Sequence, residues 1–351
     1  MQPKVRLFMS KINSMFSIGL TCTVSLFLCG CPSTHNLSQG RAFKLKEVPF
    51  TALPGWSYEN FEEALPALLR SCQNPNQQWV NFCVGLQRYR TSDSYQIKRY
   101  IENQLTPYLV MSYGETTGIM TGYYEAELTG TRHRVSQSQV PVYGVPYGYQ
   151  NGKTYPTRAD IEEDGINAPI IAWADSPVDL FILQIQGSGR MITPDGEIKL
   201  GYAGNNNRKF KGLGSIFASY GIRNLHSMQN MRQWLKENPS KGRKIMAENP
   251  RYIFFKEIQG ESPYGSAGVV LTPERSIAVD RTYIPMHTPV YLNTKDPDGI
   301  YIQKLVVAQD IGKAIQGGIR ADYFWGHGEK AFNKAGRMKS KGSYYLLLPK
   351  S

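Results

Sequence analysis

Two aspartates, Asp310 and Asp322, lie in a glycine-rich and otherwise largely apolar segment, residues 308–328 (AQDIGKAIQGGIRADYFWGHG). A carboxyl group among apolar neighbours loses part of its hydration, which raises its pKa. A carboxyl group that still holds its proton near neutral pH can act as a general acid. The aromatic side chains around Trp325 offer flat faces of the kind that stack on sugar rings. The alternative interpretation is a glycine-rich turn region whose aspartates only cap turns.

Other catalytic chemistries lack their motifs in this sequence. The five histidines are scattered and there is neither HExxH nor a paired CxxC, so no metal site is predicted. No phosphate-binding loop is present, and the Gly187-Ser188-Gly189 tripeptide lacks the GxSxG spacing of a nucleophile elbow. The remaining possibility is carboxylate chemistry, such as cleavage of a glycosidic bond by proton donation to its oxygen.

Further motifs flank the aspartate segment along the chain. They are TGYYEAELTG (121–130), FILQIQGSGRM (181–191), YAGNNNRKFKGLG (202–214), NPRYIFFKE (249–257), SIAVDRTYIP (276–285, with a third aspartate at Asp280) and the C-terminal AFNKAGRMKSKGSYYLLLP. In this order they resemble the signature stretches of the MltA family of membrane-bound lytic murein transglycosylases. The resemblance covers residues 45–349. One departure is Lys313, which stands where a second glycine is common and affects the expected local turn.

The resemblance implies a fold of mainly β structure with helices (α+β). It comprises a double-psi β-barrel catalytic domain, discontinuous at 49–117 and 241–351, and an inserted β-domain at 118–240 that forms the other wall of a glycan groove. Residue patterns alone predict only mixed α and β structure. They predict a helix capped by Ser57 and kinked or interrupted at Pro66, a helix over 93–105, a capped helix over 157–164, and strands from Tyr108 onward.

The implied activity is cleavage of the β-1,4 bond between N-acetylmuramic acid and N-acetylglucosamine of peptidoglycan, without water and without a cofactor. Asp322 matches the family's acid and base: it donates a proton to the bond oxygen and then deprotonates the C6 hydroxyl of the same muramic acid, forming a 1,6-anhydro end. Asp310 is the matching second aspartate, expected to position Asp322 or shape its pKa. For Asp280 a structural role is favoured.

The family pattern also implies substrate contacts in the groove. The matching residues are Thr121, Gly122, Tyr123, Tyr124, Gln186, Gly187 and Trp325. The tyrosines could instead pack within a sheet and Trp325 within a core, and Glu125 is expected to be structural or solvated. Two other functions stay open: a hydrolytic glycosidase that uses Asp310 and Asp322 as a pair, and a non-catalytic cell-wall-binding module on a similar barrel.

The N-terminus predicts export. Residues 1–30 have a basic start, a short apolar run and the ending Leu-Cys-Gly before Cys31, which resembles a lipoprotein signal peptide with Cys31 as the lipidated residue. The alternatives are a plain secretory signal or a membrane helix, but the apolar run is shorter than the ~20 residues a span needs. Residues 31–48 are predicted to be a tether. Because Pro32 follows Cys31, we expect a lipid anchor in the outer membrane, facing the periplasm.

Charge and cysteine content agree with an exported protein that acts on an acidic polymer. The 351 residues carry a formal net charge of +12, of which three basic residues lie in residues 1–30. Such a balance suits peptidoglycan, which carries peptide carboxylates, whereas no nucleic-acid-binding motif is present. After Cys31 only Cys72 and Cys83 remain, which predicts a disulfide between them, with two free buried thiols as the alternative.

Overall fold

The structure is a computed structural model and describes residues 42–73, 75–225, 227–261 and 263–350. The predicted signal peptide and Cys31 lie outside these residues. The strands are β1 Phe43–Glu47, β2 Leu105–Ser112, β3 Gly118–Thr131, β4 Val140–Tyr143, β5 Ile170–Ala174, β6 Gly189–Thr193, β7 Gly196–Asn205, β8 Ile253–Glu257, β9 Ser276–Val279, β10 Pro289–Lys295, β11 Tyr301–Asp310, β12 Arg320–His327 and β13 Lys339–Pro349. The helices are α1 Phe61–Ser71, α2 Val80–Leu86, α3 Ser94–Gln104, α4 Arg158–Asp164, α5 Pro177–Gln186, α6 Leu213–Ser219, α7 Met228–Glu237, α8 Pro239–Ala247 and α9 Gly328–Arg337.

Six strands close into a barrel in the order β13, β10, β11, β9, β12 and β3, with β3 pairing back onto β13. The β9–β11 and β3–β12 pairs are parallel and the other four are antiparallel. Alternate side chains point inward and form a buried cluster that includes Ile277, Val306 and Leu346. Closure of the ring pairs both edges of every strand, so the barrel is a rigid frame for residues on its strands.

Strand β3 is long enough to belong to two sheets. Its first half pairs with β12 in the barrel, and residues 126–129 then pair with β6 of a second sheet that continues through β7 to β8. Its last residues pair with β5, which in turn pairs with β4. One continuous strand therefore fixes the second sheet relative to the barrel.

The N-terminal helices pack on the barrel in a cluster that includes Trp56, Leu68 and Ile101. A bond between Cys72, which follows α1, and Cys83 on α2 joins these helices, with 5.2 Å between the two Cα atoms, so the predicted disulfide is present. The predicted helix over 93–105 is α3, which begins after the cap residue Asp93. Helix α4 has the predicted cap, since the Thr157 hydroxyl accepts from the Asp160 amide.

Three local predictions were wrong. Asn60, not Ser57, caps α1, because Ser57 lies in a 3-10 turn and the Asn60 side chain accepts from the Glu63 amide. Pro66 lies inside α1, so the predicted interruption is wrong, whereas a kink there stays a prediction. The hydrogen bond that Pro66 removes would have reached the first turn, and burial of the apolar face holds the helix together. The predicted tether is too long, because residues 43–47 form β1 and Phe43 is buried.

No helix in the described part of the chain is long and apolar enough to cross a membrane.

Candidate active site

The two aspartates of the glycine-rich segment face each other across one strand. Ala278 of β9 pairs with Asp310 of β11 on one side and with Asp322 of β12 on the other. Two strand spacings separate the aspartates, so their Cα atoms lie roughly 10 Å apart. Both side chains are partly exposed and line a groove of about 1140 Å³ between the barrel and the second sheet. The barrel register therefore brings together the two residues that the sequence singled out.

A β-bulge aims Asp310 at the groove. The pairing of β11 with β9 shifts between Ala308 and Asp310, which leaves Gln309 as an extra residue. Gln309 is fully buried, accepts from the Ser276 hydroxyl and donates to the Ala67 carbonyl of α1. Bulges redirect neighbouring side chains in this way. Because Gln309 turns towards the helix, Asp310 turns towards the groove.

Asp322 has the electrostatics of a proton donor. Burial raises the pKa of Asp322 to about 6, opposed by a hydrogen bond from Thr121 and the charge of Arg320 and assisted by the charge of Asp310. The Thr121 hydroxyl donates to Asp322 Oδ1 over 2.5 Å, and it accepts from Arg320 Nη2 over 2.9 Å. No cation contacts the carboxylate directly in the residues described here. Asp322 therefore keeps its proton up to a pH of about 6, just below neutrality.

Asp310 is held in place by a loop. Its Oδ1 accepts from the backbone amide and hydroxyl of Ser266 and from the amide of Ile311, each over 2.9 Å. Burial raises the pKa of Asp310, and these hydrogen bonds oppose the rise. The hydroxyl of Tyr123 is buried near both carboxylates, and burial followed by their charges raises the pKa of Tyr123 well above its ordinary value. Tyr123 therefore stays protonated beside the aspartates.

Asp280 ties two loops together. Its Oδ1 accepts from the amide and hydroxyl of Thr282, and its Oδ2 accepts from the Gly317 amide over 2.9 Å. Burial raises the pKa of Asp280, but these hydrogen bonds outweigh it and the pKa is lowered overall. A carboxylate that stays ionised and has both oxygens in hydrogen bonds suits the structural role favoured for Asp280. Lys313 lies in the loop that Asp280 holds, with its side chain exposed at the groove.

The TGYY motif does not act as one contact surface. Thr121 and Tyr123 lie on the Asp322 side of β3, and Gly122 and Tyr124 lie on the other side because strand side chains alternate. Tyr124 is buried against Phe332 of α9, with ring centroids 5.2 Å apart. A Cβ at Gly122 would lie 2.5 Å from the Trp325 Nε1 atom, so glycine is needed for the indole to approach β3. Gly122 and Tyr124 therefore pack behind the groove.

Trp325 also lies away from the groove. Its ring packs edge-on against Tyr323, with centroids 4.9 Å apart, and contacts the two core clusters on either side of β3. Because strand side chains alternate, Trp325 lies on the same face of β12 as the buried Tyr323, a placement that agrees with the alternative of core packing. Gln186 and Gly187, in contrast, line the groove at the end of α5. The Gln186 amide oxygen accepts from the Tyr124 backbone over 3.4 Å, which fixes this end of α5 to β3.

Comparison with known proteins connects this geometry to a family. A family model described as the MltA specific insert domain matches residues 119–256, and one described as the 3D domain matches residues 275–348. The solved lytic transglycosylase LtgG of Burkholderia pseudomallei is 38% identical, and the match covers 88% of this chain and 96% of that one with a TM-score of 0.63. This chain belongs to the MltA family. The solved MltA of Neisseria gonorrhoeae is similar at 31% identity, with 89% and 94% coverage and a TM-score of 0.80.

Curated relatives match over a shorter part. The membrane-bound lytic murein transglycosylase A of Vibrio cholerae is 30% identical over 242 residues, so the aligned region spans 65% of this chain and 65% of that relative. In MltA-family terms, the insert match runs from the start of β3 to the last residues of β8, and the 3D match runs over β9 to β13. The fold is therefore α+β and dominated by strands, with the double-psi β-barrel of the 3D domain.

Two groups at the MltA-family site were missed from the sequence. Arg320 precedes Asp322 by two residues and so lies on the same face of β12, a spacing that could have indicated it. Ser266 comes from the loop between β8 and β9, where no local pattern signals contact with Asp310. Glu125 has the expected structural role, since it is buried and pairs with Arg190 over 2.6 Å. Among the described residues, no group of His, Cys, Asp and Glu is arranged to hold a metal ion.

Proposed function

We propose that this MltA-family chain is a peptidoglycan lytic transglycosylase that cleaves the bond between N-acetylmuramic acid and N-acetylglucosamine and leaves 1,6-anhydromuramic acid ends. The observation that carries the proposal is a carboxyl group in the groove, Asp322, whose pKa is raised to about 6 and which no cation contacts directly among the described residues. Relatives with this fold are named lytic transglycosylases, which agrees with it. Glycan strands are the substrate and the chain's own carboxyl groups supply the chemistry.

In the proposed reaction Asp322 transfers its proton to the glycosidic oxygen, and the bond from that oxygen to C1 of muramic acid breaks. The N-acetylglucosamine unit leaves with the proton. The Asp322 carboxylate then takes the proton of the C6 hydroxyl as the C6 oxygen bonds to C1. Asp322 ends as it began, and no water is consumed. A pKa of about 6 suits a group that must both give and accept a proton.

The neighbours of Asp322 are proposed to position it. Thr121 engages Oδ1 and leaves Oδ2 without a hydrogen bond among the described residues, so Oδ2 can face the glycosidic oxygen. The fixed charge of Asp310 raises the pKa of Asp322 and stabilises positive charge that develops at C1. Tyr123, Gln186 and Gly187 are proposed to contact the sugar, supported by their place in the groove wall.

We further propose the division of the chain that the sequence indicated: a barrel domain from 49–117 and 241–351, and an inserted domain starting at 118. Pairing of β8 with β7 supports moving the end of the insert from 240 to about residue 257. The substrate would lie between the two parts. This arrangement explains why groove residues come from distant stretches of the sequence.

Membrane attachment is proposed through a lipid on Cys31, in the outer membrane with the enzyme facing the periplasm. The name of the Vibrio cholerae relative includes membrane-bound, which supports association with a membrane. Replacing Cys31 with Ser should release the protein from the membrane fraction. Wild-type protein found soluble with an unmodified Cys31 thiol would refute the anchor.

Digestion of purified cell-wall sacculi, followed by mass analysis of the products, tests the proposed activity. Anhydro ends, lighter by one water than hydrolytic ends, are the expected result. Reducing ends with the full mass would favour the hydrolytic pair of Asp310 and Asp322. Binding without cleavage would favour the cell-wall-binding module.

A further inference from the structure

An unpaired arginine lies in the groove wall formed by the second sheet. Arg251, two residues before β8, is half-buried and lines the groove. Its Nη1 donates to the Arg208 carbonyl over 3.2 Å. No acidic side chain within residues 42–73, 75–225, 227–261 and 263–350 forms an ion pair with it. A partly buried charge without a counter-ion is unfavourable unless a ligand supplies one.

Several other buried or half-buried arginines form ion pairs with acidic side chains. Arg190 pairs with Glu125 and Glu197, Arg275 pairs with Glu59 and Glu63, and Arg232 pairs with Asp179. The buried Arg158 likewise pairs with Glu162. Arg208 and Arg320 are also half-buried without a direct ion pair among the described residues, but neither lines the groove, whereas Arg251 does.

The backbone around Arg251 is rigidly held. The Oδ1 atom of buried Asn249 accepts a hydrogen bond from the Arg251 amide. The Arg251 carbonyl accepts a hydrogen bond from Arg158 Nη2 over 2.8 Å. Buried Asn206 accepts the Tyr252 amide over 2.9 Å and donates to the Pro250 carbonyl over 2.7 Å. These contacts join the YAGNNNRKFKGLG and NPRYIFFKE segments, which the proposed reaction does not use. A fixed frame around an uncompensated charge is a feature of binding sites.

A second cation extends the positive surface along the same wall. Lys256 of β8 pairs in register with Gly201 of β7, lines the groove and is exposed. It has no ion pair in the described part of the chain. Glu257, the acidic neighbour, is already engaged by Arg132 over 2.9 Å. This wall therefore presents positive charge to whatever occupies the groove.

We propose that Arg251 forms a subsite for a carboxylate of the peptide stem attached to muramic acid, with Lys256 adding positive charge farther along the same wall, so that the protein prefers peptide-bearing glycan strands. This rests on the proposed function and names its substrate class. A guanidinium fork matches a carboxylate with two parallel hydrogen bonds. Lys256 lies five residues further on, roughly 16 Å along an extended strand, so its charge attracts the stem without sharing that carboxylate.

The position favours the stem over the lactyl carboxylate of a bare muramic acid. Strand β8 lies three strands from β3, or about 14 Å across the sheet. A peptide spans up to about 3.5 Å per residue, so about four residues cover that distance. The lactyl group stays within a few bonds of its own sugar ring.

The test is calorimetric binding to full-length protein carrying Asp322→Asn, which removes turnover. The ligands are a muramic-acid-containing disaccharide with its peptide stem, the same disaccharide stripped to the lactyl carboxylate, and a chitin disaccharide without carboxylates. We expect the stem to tighten binding by about tenfold, the effect of one charge-assisted contact at a partly exposed site. Adding Arg251→Gln should abolish most of that difference, and Arg251→Lys should keep part of it.

Arg243→Gln on α8 is the matched control, because Arg243 is exposed and does not line the groove, and it should keep the tenfold preference. If Arg251→Gln lowers the melting temperature, the same binding comparison is made with Lys256→Gln. We expect this variant to lose a smaller part of the preference for the stem-bearing ligand. Equal binding of stem-bearing and stripped ligands, both tighter than chitin, would assign the site to lactyl groups and overturn the proposal. Equal weakening of all three ligands by Arg251→Gln would also overturn it. Failure of wild-type protein to cleave either intact or stripped strands would instead refute the proposed activity, separately from these binding results.

Discussion

Glu59 and Asp322 are both carboxylates whose pKa burial raises, yet their surroundings differ. Glu59 lies beneath the barrel, where Arg275 Nη1 donates to one oxygen over 2.6 Å and the Leu305 amide donates to the other over 2.9 Å. Asp322 lies in the groove, where a threonine hydroxyl separates it from the nearest guanidinium. Direct pairing of both oxygens holds structure together, whereas one neutral contact leaves a carboxyl group able to exchange its proton. A perturbed pKa alone would not distinguish the two regions.

The largest expected effect comes from Asp322→Asn. The amide keeps the size of the side chain but cannot transfer the proton, so formation of anhydro ends should fall by about 10²- to 10⁴-fold. Product release from sacculi, measured by mass analysis, checks this. A variant that retains near wild-type rates would contradict the role of Asp322.

The effect of Asp322→Asn on stability distinguishes a loss of proton transfer from a loss of folding. The folded-state pKa of Asp322 is raised from the ordinary value to about 6, so folding favours the protonated form. Its ionisation therefore opposes folding as pH rises from about 4 through 6 and above. Asp322→Asn should unfold at no lower temperature than wild type at pH 7, and any gain should vanish below pH 4.

Arg275→Met should, in contrast, lower the stability of the fold strongly, because it breaks the structural pair with Glu59. It leaves the Glu59 carboxylate buried without its partner, at a cost of about 3–5 kcal/mol. Urea unfolding measures the change. The double variant with Glu59→Gln should recover part of the loss, and no recovery would show that the pair is not the cause.

Asp310→Asn should lower the rate by about 10- to 100-fold, because one fixed charge near the developing cation is lost. Removing that charge also lowers the pKa of Asp322, so the alkaline limb of the pH–rate profile should move to lower pH. A profile recorded across pH 4 to 8 tests the direction. Rescue by azide with formation of a glycosyl azide would contradict it, since Asp310 would then be a nucleophile.

Thr121→Val should have the smallest effect of the set and shift the profile the other way. The variant keeps the shape of the side chain but removes the hydrogen bond that lowers the pKa of Asp322. The alkaline limb should move to higher pH, and the rate should fall by less than about tenfold, as expected for one hydrogen bond. An unchanged pH profile would mean that Thr121 does not control Asp322.

Many local features of this protein can be predicted from short stretches of its sequence. Helix α3, the cap of α4, the disulfide between Cys72 and Cys83, and the two groove aspartates all depend on residue types at local spacing. Local signals also misled where two of them competed. Ser57 has the chemistry of a cap, but Asn60 lies next to the apolar face that starts α1. The family motifs added the order of segments that composition alone could not provide.

The tertiary structure decided which of these residues meet. Thr121 and Asp322 are separated by 201 positions and pair only because β3 and β12 are parallel neighbours in a closed barrel. The same register turns Tyr123 towards the aspartates and Tyr124 into the core, although the sequence places them side by side. Trp325 is partly buried beside α9, and Ser266 reaches Asp310 through a loop with no regular pattern. Alternation, caps and charge are local properties of a chain, whereas contact across strands depends on how the whole barrel closes.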